Sequence, residues 1–277
     1  MTAIGGGILY AKSRKNEGIM SKVITMIPAR LAATRFPNKP LVDINGKTLI
    51  RRVYENCRKY LPGDIVIAAG DQAIVDECNK FGANAILTDP KLPSGTDRII
   101  AALKQIDPSG TKYDIVVNFQ GDGLNIDPRT NLPLIEMIEK TNCDVATCGM
   151  VMKNEEEINN PNNVKIVMGL KDGEDEGRCL YFTRAVAPYI RNPEKCENKD
   201  YYWHLGIYVF KASSLLRFGQ YPVGILEDRE GLEQLRMLEN GMYIRAKLVG
   251  DVRLVKEAPP DINTLEEYKE AIKWIKD

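Results

Sequence analysis

The chain has 277 residues, 44% hydrophobic and 27% charged, a globular composition with room for one large α/β domain or a domain plus a subdomain. Lysine plus arginine and aspartate plus glutamate each total 38, so the basic excess of a nucleic-acid binder is missing, and the apolar runs are strand-sized, too short to cross a membrane as a helix. Six cysteines without a C-x-x-C pair and a single histidine lack the ligand spacing of a zinc site and fit reduced, cytoplasmic thiols.

Residues 1–20 run Gly5-Gly6-Gly7, a short apolar patch, then Lys12, Arg14 and Lys15. A signal peptide carries its charges before the apolar region, so this segment reads as an extension, with the domain at 21–277. Val23–Ile27 reads as a strand, and Thr48–Tyr60 as a helix with Leu49, Val53, Cys57 and Tyr60 on one stripe. A strand at Ile65–Ala68 follows, then a helix capped by Asp71 with the stripe Ile74, Cys78 and Phe81. Ala85–Leu87 is a strand, Ser94 begins a helix running to about Ile106, and Ile115–Phe119 is an apolar strand covered on both faces. Pro128–Lys140 reads as a helix and Asp144–Met150 as a strand. This β-α-β-α order predicts an α/β fold with a mostly parallel sheet, whose ligands bind outside the carboxyl ends of the strands. After residue 150 the rhythm changes, and 151–220 reads as a smaller β-rich insertion. Leu226–Asn240 reads as one helix and Tyr243–Leu248 as a strand. A last helix has the capping box Thr264 and Glu267 and the stripe Leu265, Tyr268, Ile272 and Ile275.

Several runs of residues are suited to chemistry, each with a plainer alternative. Arg30, Arg35 and Lys39 follow the first strand, where converging cations suit a triphosphate; the same loop also reads as a solvated basic turn, and it is not a P-loop. Gln120-Gly121-Asp122 ends an apolar strand, where an Asp can ligate Mg²⁺; Asp-Gly turns are also common. Ser94 and Asp97 fit a capping box, and the same helix start, with Arg98, can face an anion. As a strand, 204–210 puts Leu205, Ile207 and Val209 on a core face and His204, Gly206 and Tyr208 on a polar one, a surface for a substrate or a structural histidine. Leu232 and Leu235 point inward, leaving Glu233 and Gln234 as exposed surface by default.

In order, the chain carries I-P-A-R-x-x-x-T-R-F-P-N-K-P-L from Ile27, S-G-T-D-R from Ser94, N-F-Q-G-D from Asn118, Y-F-T-R from Tyr181, H-L-G-I-Y from His204 and L-E-Q-L-R from Leu232. Together these resemble the 3-deoxy-manno-octulosonate cytidylyltransferases, or CMP-Kdo synthetases, over about residues 22–275. The resemblance implies a Rossmann-like nucleotidyltransferase sheet and transfer of CMP from CTP to the anomeric hydroxyl of an acidic sugar. It implies Arg30, Arg35 and Lys39 on the phosphates, Ser94, Gly95, Thr96 and Gln120 lining the cytosine and sugar sites, and Asp122 on Mg²⁺, with Arg30, Lys39 and Asp122 central to catalysis. It further implies Arg184, His204, Tyr208, Glu233 and Gln234 on the sugar, with Arg98 a further candidate, and a homodimer formed through 151–220.

Two stretches depart from the family pattern. Q-G-D-E-P becomes Gln120-Gly121-Asp122-Gly123-Leu124, and a V-D-T-P-E-D-like stretch, which supplies a second metal-binding Asp, becomes Ile262-Asn263-Thr264-Leu265-Glu266-Glu267. Asn263 keeps an oxygen donor without the charge, and Asp261, two residues earlier, lies on the same face of an extended chain. The expectation is weakened but retained magnesium binding. An amino-deoxy octulosonate acceptor, or a non-catalytic nucleotide- or sugar-binding homologue, are the alternatives.

Overall fold

The computed structural model describes residues 21–32, 36–171 and 173–276. The extension at 1–20 and Arg35 lie outside these residues. In chain order the elements are β1 (Val23–Ala29), β2 (Asp43–Ile44), β3 (Lys47–Thr48), α1 (Leu49–Tyr60), β4 (Asp64–Ala69), α2 (Gln72–Lys80), β5 (Asn84–Leu87), α3 (Gly95–Ile106) and β6 (Ile115–Asn118). They continue with α4 (Leu132–Lys140), β7 (Val145–Val151), α5 (Glu155–Asn159), β8 (Lys165–Gly169), β9 (Glu176–Thr183) and β10 (Tyr202–Lys211). Helices α6 (Ala212–Phe218), α7 (Ile225–Glu230) and α8 (Glu233–Glu239), strand β11 (Ile244–Leu248) and α9 (Leu265–Trp274) complete the fold.

Among the described residues the main sheet has nine strands, ordered β5-β4-β1-β6-β10-β7-β11-β9-β8. The first four are parallel because a helix or long crossover separates each from the next in sequence. The expected mostly parallel sheet is corrected beyond them. Strand β10 inserts antiparallel between β6 and β7, and β9 is antiparallel to both β11 and β8, leaving a mixed sheet. Among the described residues the only helix from β7 to β10 is the five-residue α5, too short for a crossover that would keep the strands parallel. Strands β8 to β10, inside the expected insertion, are hydrogen-bonded members of this same sheet.

Alternation along β1 sends Val23, Ile27 and Ala29 to one apolar layer and Ile24 and Met26 to the other. The first layer packs under α1, α2 and α4, where the stripe Leu49, Val53 and Cys57 is fully buried. The second packs under α3, α6 and α8. Two helical expectations are corrected. The run 226–240 is two helices, broken where Gly231 takes a left-handed φ of 63°. Leu265, expected on the buried stripe of α9, is 47% exposed, while Tyr268, Ile272 and Ile275 pack on the core. The expected capping box is present: Thr264 Oγ1 accepts from the Glu267 N–H, and Glu267 accepts from the Thr264 N–H.

Candidate active site

Strands β1 and β6 are parallel neighbours, so the loops leaving their carboxyl ends lie side by side. Gly121 makes that closeness possible, because a Cβ there would sit 2.4 Å from the Pro28 carbonyl oxygen. The start of α3 joins the two loops. Ser94 caps it, accepting from the Asp97 N–H at 3.1 Å and donating to Asp97 Oδ2 at 2.7 Å. Between them opens a cleft of about 400 Å³, lined by Arg30, Lys39, Ser94, Gly95, Gln120 and Asp122, with Arg98 and Asn263 also on its wall.

Lys39 is presented by a single 3-10 turn that starts after Asn38, itself left-handed with φ 56°. Its Nζ lies 2.6 Å from Asp122 Oδ2 and donates to Asn263 Oδ1 at 3.2 Å. Asn263 is oriented in turn: its Nδ2 donates to Asp261 Oδ2 at 2.9 Å, and its backbone N–H donates to Glu267 Oε2 at 2.6 Å. Burial, and then the neighbouring Asp122 charge, raise the Asp261 carboxyl above its ordinary range. Asp261 therefore stands behind Asn263 and aims the amide oxygen at Lys39.

Two positioning residues were not legible as such in the sequence. Asn125, fully buried, donates through Nδ2 to the Val255 and Ala258 carbonyls and accepts from the Val255 N–H at 2.7 Å. It staples the segment that carries Asp261 and Asn263 to the loop after β6; in sequence it is one Asn in a turn. Asp71, expected to cap α2, makes no side-chain cap there. Its Oδ2 instead accepts from the Leu31 N–H at 2.8 Å and anchors the basic loop after β1.

Arg98, expected to face an anion from the start of α3, lies on the cleft wall with its guanidinium already engaged by the protein. It is 2% exposed, and its guanidinium donates to Thr88 Oγ1 and to the Asp89 and Pro90 carbonyls. Burial, and then the Arg30 charge, lower its pKa.

The expected sugar residues form a second cluster behind α3. Thr96 Oγ1 donates to Glu233 Oε1 at 2.5 Å. Burial raises the Glu233 carboxyl above its usual range, and its Oε2 has no hydrogen-bond partner among the described residues. Glu233 and Gln234, expected as exposed surface, are partly and fully buried because the break at Gly231 turns α8 into the core. His204 and Tyr208 are buried too, with burial pushing the imidazole down to about 3, so it is neutral. Leu205, Ile207 and Val209 do face one layer and Tyr208 the other, yet both layers are interior. Arg184 lies further away, donating to the carbonyls of Glu230, Pro161 and Gly231. Arg184, His204, Tyr208, Glu233 and Gln234 are not on the wall of the cleft.

Residues 24–245 match the family described as Cytidylyltransferase. The chain is 42% identical over 239 residues to a 3-deoxy-manno-octulosonate cytidylyltransferase of Paramagnetospirillum magneticum, covering 86% of this chain and 94% of the relative. It is 44% identical over 243 residues to the same-named protein of Brucella ovis, covering 88% of this chain and 91% of that one. A solved CMP:2-keto-3-deoxy-manno-octonic acid synthetase, complexed with CTP, superposes with TM-score 0.79 at 31% identity over 91% of this chain and 98% of its own. A 4-diphosphocytidyl-2C-methyl-D-erythritol synthase from Anaerococcus prevotii, at 13% identity and TM-score 0.55, shares the fold. On sequence and fold together, the chain belongs to the cytidylyltransferase family of nucleotidyltransferase enzymes, among the 3-deoxy-manno-octulosonate cytidylyltransferases.

Proposed function

We propose that this enzyme transfers CMP from CTP to the anomeric hydroxyl of an acidic 3-deoxy sugar of the octulosonate class, releasing pyrophosphate. The reading is carried by the convergence of Lys39, Asp122 and Asn263 at the mouth of two adjacent strands, beside the start of α3. Arg30, Arg35 and Lys39 bind the triphosphate and neutralise the charge that grows on the leaving pyrophosphate. Ser94, Gly95, Thr96 and Gln120 seat the cytosine and the sugar. The acceptor hydroxyl attacks the α-phosphorus in line, and fixing the two reactants relative to one another supplies much of the acceleration.

The donor set suits a magnesium ion. Asp122 and Asn263 turn hard oxygen atoms toward one point, and the Lys39 ammonium found there is itself a cation accepted by both. Asp122 and Asn263, with Asp261 behind, would hold the ion, which would supply charge neutralisation for the phosphates. One carboxylate among these direct oxygen donors implies weaker metal affinity than two would.

A CMP-octulosonate product fits a role in lipopolysaccharide assembly, and a cytoplasmic location belongs to the same reading. No helix among the described residues is long and apolar enough to cross a membrane. A homodimer through 151–220 is supported by apolar side chains left exposed there, Leu180, Val186 and Tyr189, the last 87% exposed. The test is pyrophosphate release with CTP, magnesium and a panel of acidic sugars that includes amino-deoxy octulosonates, beside a blank without sugar. Release dependent on both CTP and an octulosonate supports the proposal. A folded protein that binds CTP but turns over no acceptor in the panel overturns it.

A further inference from the structure

Strand β10 does not run straight past β7. His204 pairs with Gly149 and Tyr208 with Thr147, so β10 carries two more residues than β7 across this step. Gly206 makes the bulge with a φ of +69°. The bulge turns the Ile207 carbonyl toward Thr147, whose Oγ1 lies 2.6 Å from it. A carbonyl oxygen cannot donate, so the single hydroxyl proton of Thr147 lies between these two atoms.

That proton assignment has consequences. His204 Nε2 is 3.0 Å from the same Thr147 oxygen, which has only lone pairs left to offer. Nε2 must therefore carry a hydrogen and donate it. In a neutral imidazole the other nitrogen is then an acceptor. His204 Nδ1 lies 3.4 Å from Gln234 Nε2, so the amide turns its NH₂ group toward the ring and its carbonyl oxygen away. Gln234 adjoins Glu233, which receives the Thr96 hydroxyl at the start of α3.

We propose that Thr147 is a positioning residue of the acceptor-sugar site: it fixes His204 as its Nε2–H tautomer and thereby sets which way the Gln234 amide faces. His204 then acts as a neutral link in this chain, not as a charged ligand of the sugar's carboxylate. Phe182 and Tyr208, with ring centroids 4.9 and 5.3 Å from the imidazole, pack against it. The proposal rests on the acceptor-sugar reading given above.

His204 is the only histidine of the 277 residues, so its imidazole nitrogens can be assigned by NMR without ambiguity. The experiment compares wild type, Thr147→Val and Thr147→Ser by long-range ¹H–¹⁵N correlation, and by KM for 3-deoxy-manno-octulosonate and for CTP. The wild-type ring is expected as the Nε2–H form. Thr147→Val is expected to lose that single form and raise the sugar KM by roughly tenfold while the CTP KM moves little, the scale of one lost interior hydrogen bond. Thr147→Ser should restore both readouts. An Nδ1–H ring in wild type overturns the proposal even if Thr147→Val fails to fold, and so does a Thr147→Val protein with an unchanged sugar KM. The tautomer is read without substrate, so an enzyme that uses no octulosonate overturns the assigned function and leaves the tautomer result standing on its own.

Discussion

Lys39 Nζ and Asp122 Oδ2 lie 2.6 Å apart across 83 residues of sequence. The pair joins the loop after β1 to the loop after β6, and Asn263 completes it from the far end of the chain. Every prediction about metal and phosphate follows from this arrangement.

Replacing Asn263 with Asp restores a second carboxylate beside Asp122 and strengthens hard-cation binding. The magnesium concentration for half-maximal rate should fall by roughly tenfold, the scale of one charge-assisted contact. Titration of Mn²⁺ by electron paramagnetic resonance reads the same change without turnover. An unchanged magnesium requirement would remove Asn263 from the metal site.

Lys39→Met keeps most of the aliphatic stem and removes the charge. Its kcat/KM should fall by about 10²–10³, as for loss of one preorganised contact to developing negative charge. Thermal unfolding should fall only modestly, since the Lys39–Asp122 side chains are 15% and 28% exposed and water still reaches the Asp122 carboxylate left behind. A large drop in Tm would recast Lys39 as structural.

Asn125→Ala removes three side-chain hydrogen bonds and leaves two carbonyls and one N–H without their partner. The cost should be about 2–3 kcal/mol in urea unfolding. Because the staple also positions Asn263, the magnesium requirement should rise. Destabilisation with an unaltered metal requirement would separate the staple from the site.

Acid should unfold the protein partly through Asp144. Burial alone would raise its carboxyl, but hydrogen bonds from Ser214, the Tyr243 N–H and Arg217 outweigh this and hold it below 3.8. A carboxyl depressed in the folded state contributes stability above its unfolded value and loses it as pH falls through the folded one. Tm should thus decline below about pH 4, and Asp144→Asn should have a lower Tm at neutral pH with a shallower acid decline. Parallel curves for the two proteins would refute the assignment.

The helices and the parallel half of the sheet were legible in sequence because they are local. A stripe such as Leu49, Val53 and Cys57 fixes which side of a helix is buried, and the Thr264–Glu267 box fixes where one begins. The cleft was legible because ordered motifs place Arg30, Lys39 and Asp122 after strands, and strand ends in such sheets are binding sites. The broken helix at 226–240 was not, although its apolar spacing lapses between Leu226 and Leu232 and Gly231 is a helix-ending residue type, because a lone glycine inside a polar run fits a helix interior as readily as a cap until its left-handed φ is seen.

By itself the sequence determined the βα succession, the cations and carboxylate available to the cleft, and the family to which they belong. The tertiary structure alone decided that β10 runs antiparallel, that His204, Gln234 and Glu233 turn inward, and that Asn125 staples the segment carrying Asn263 to the loop after β6. The physical reason is range. Periodicity and capping are settled within a few residues, whereas strand direction, burial of polar groups and the aim of a side chain depend on partners brought from distant parts of the chain.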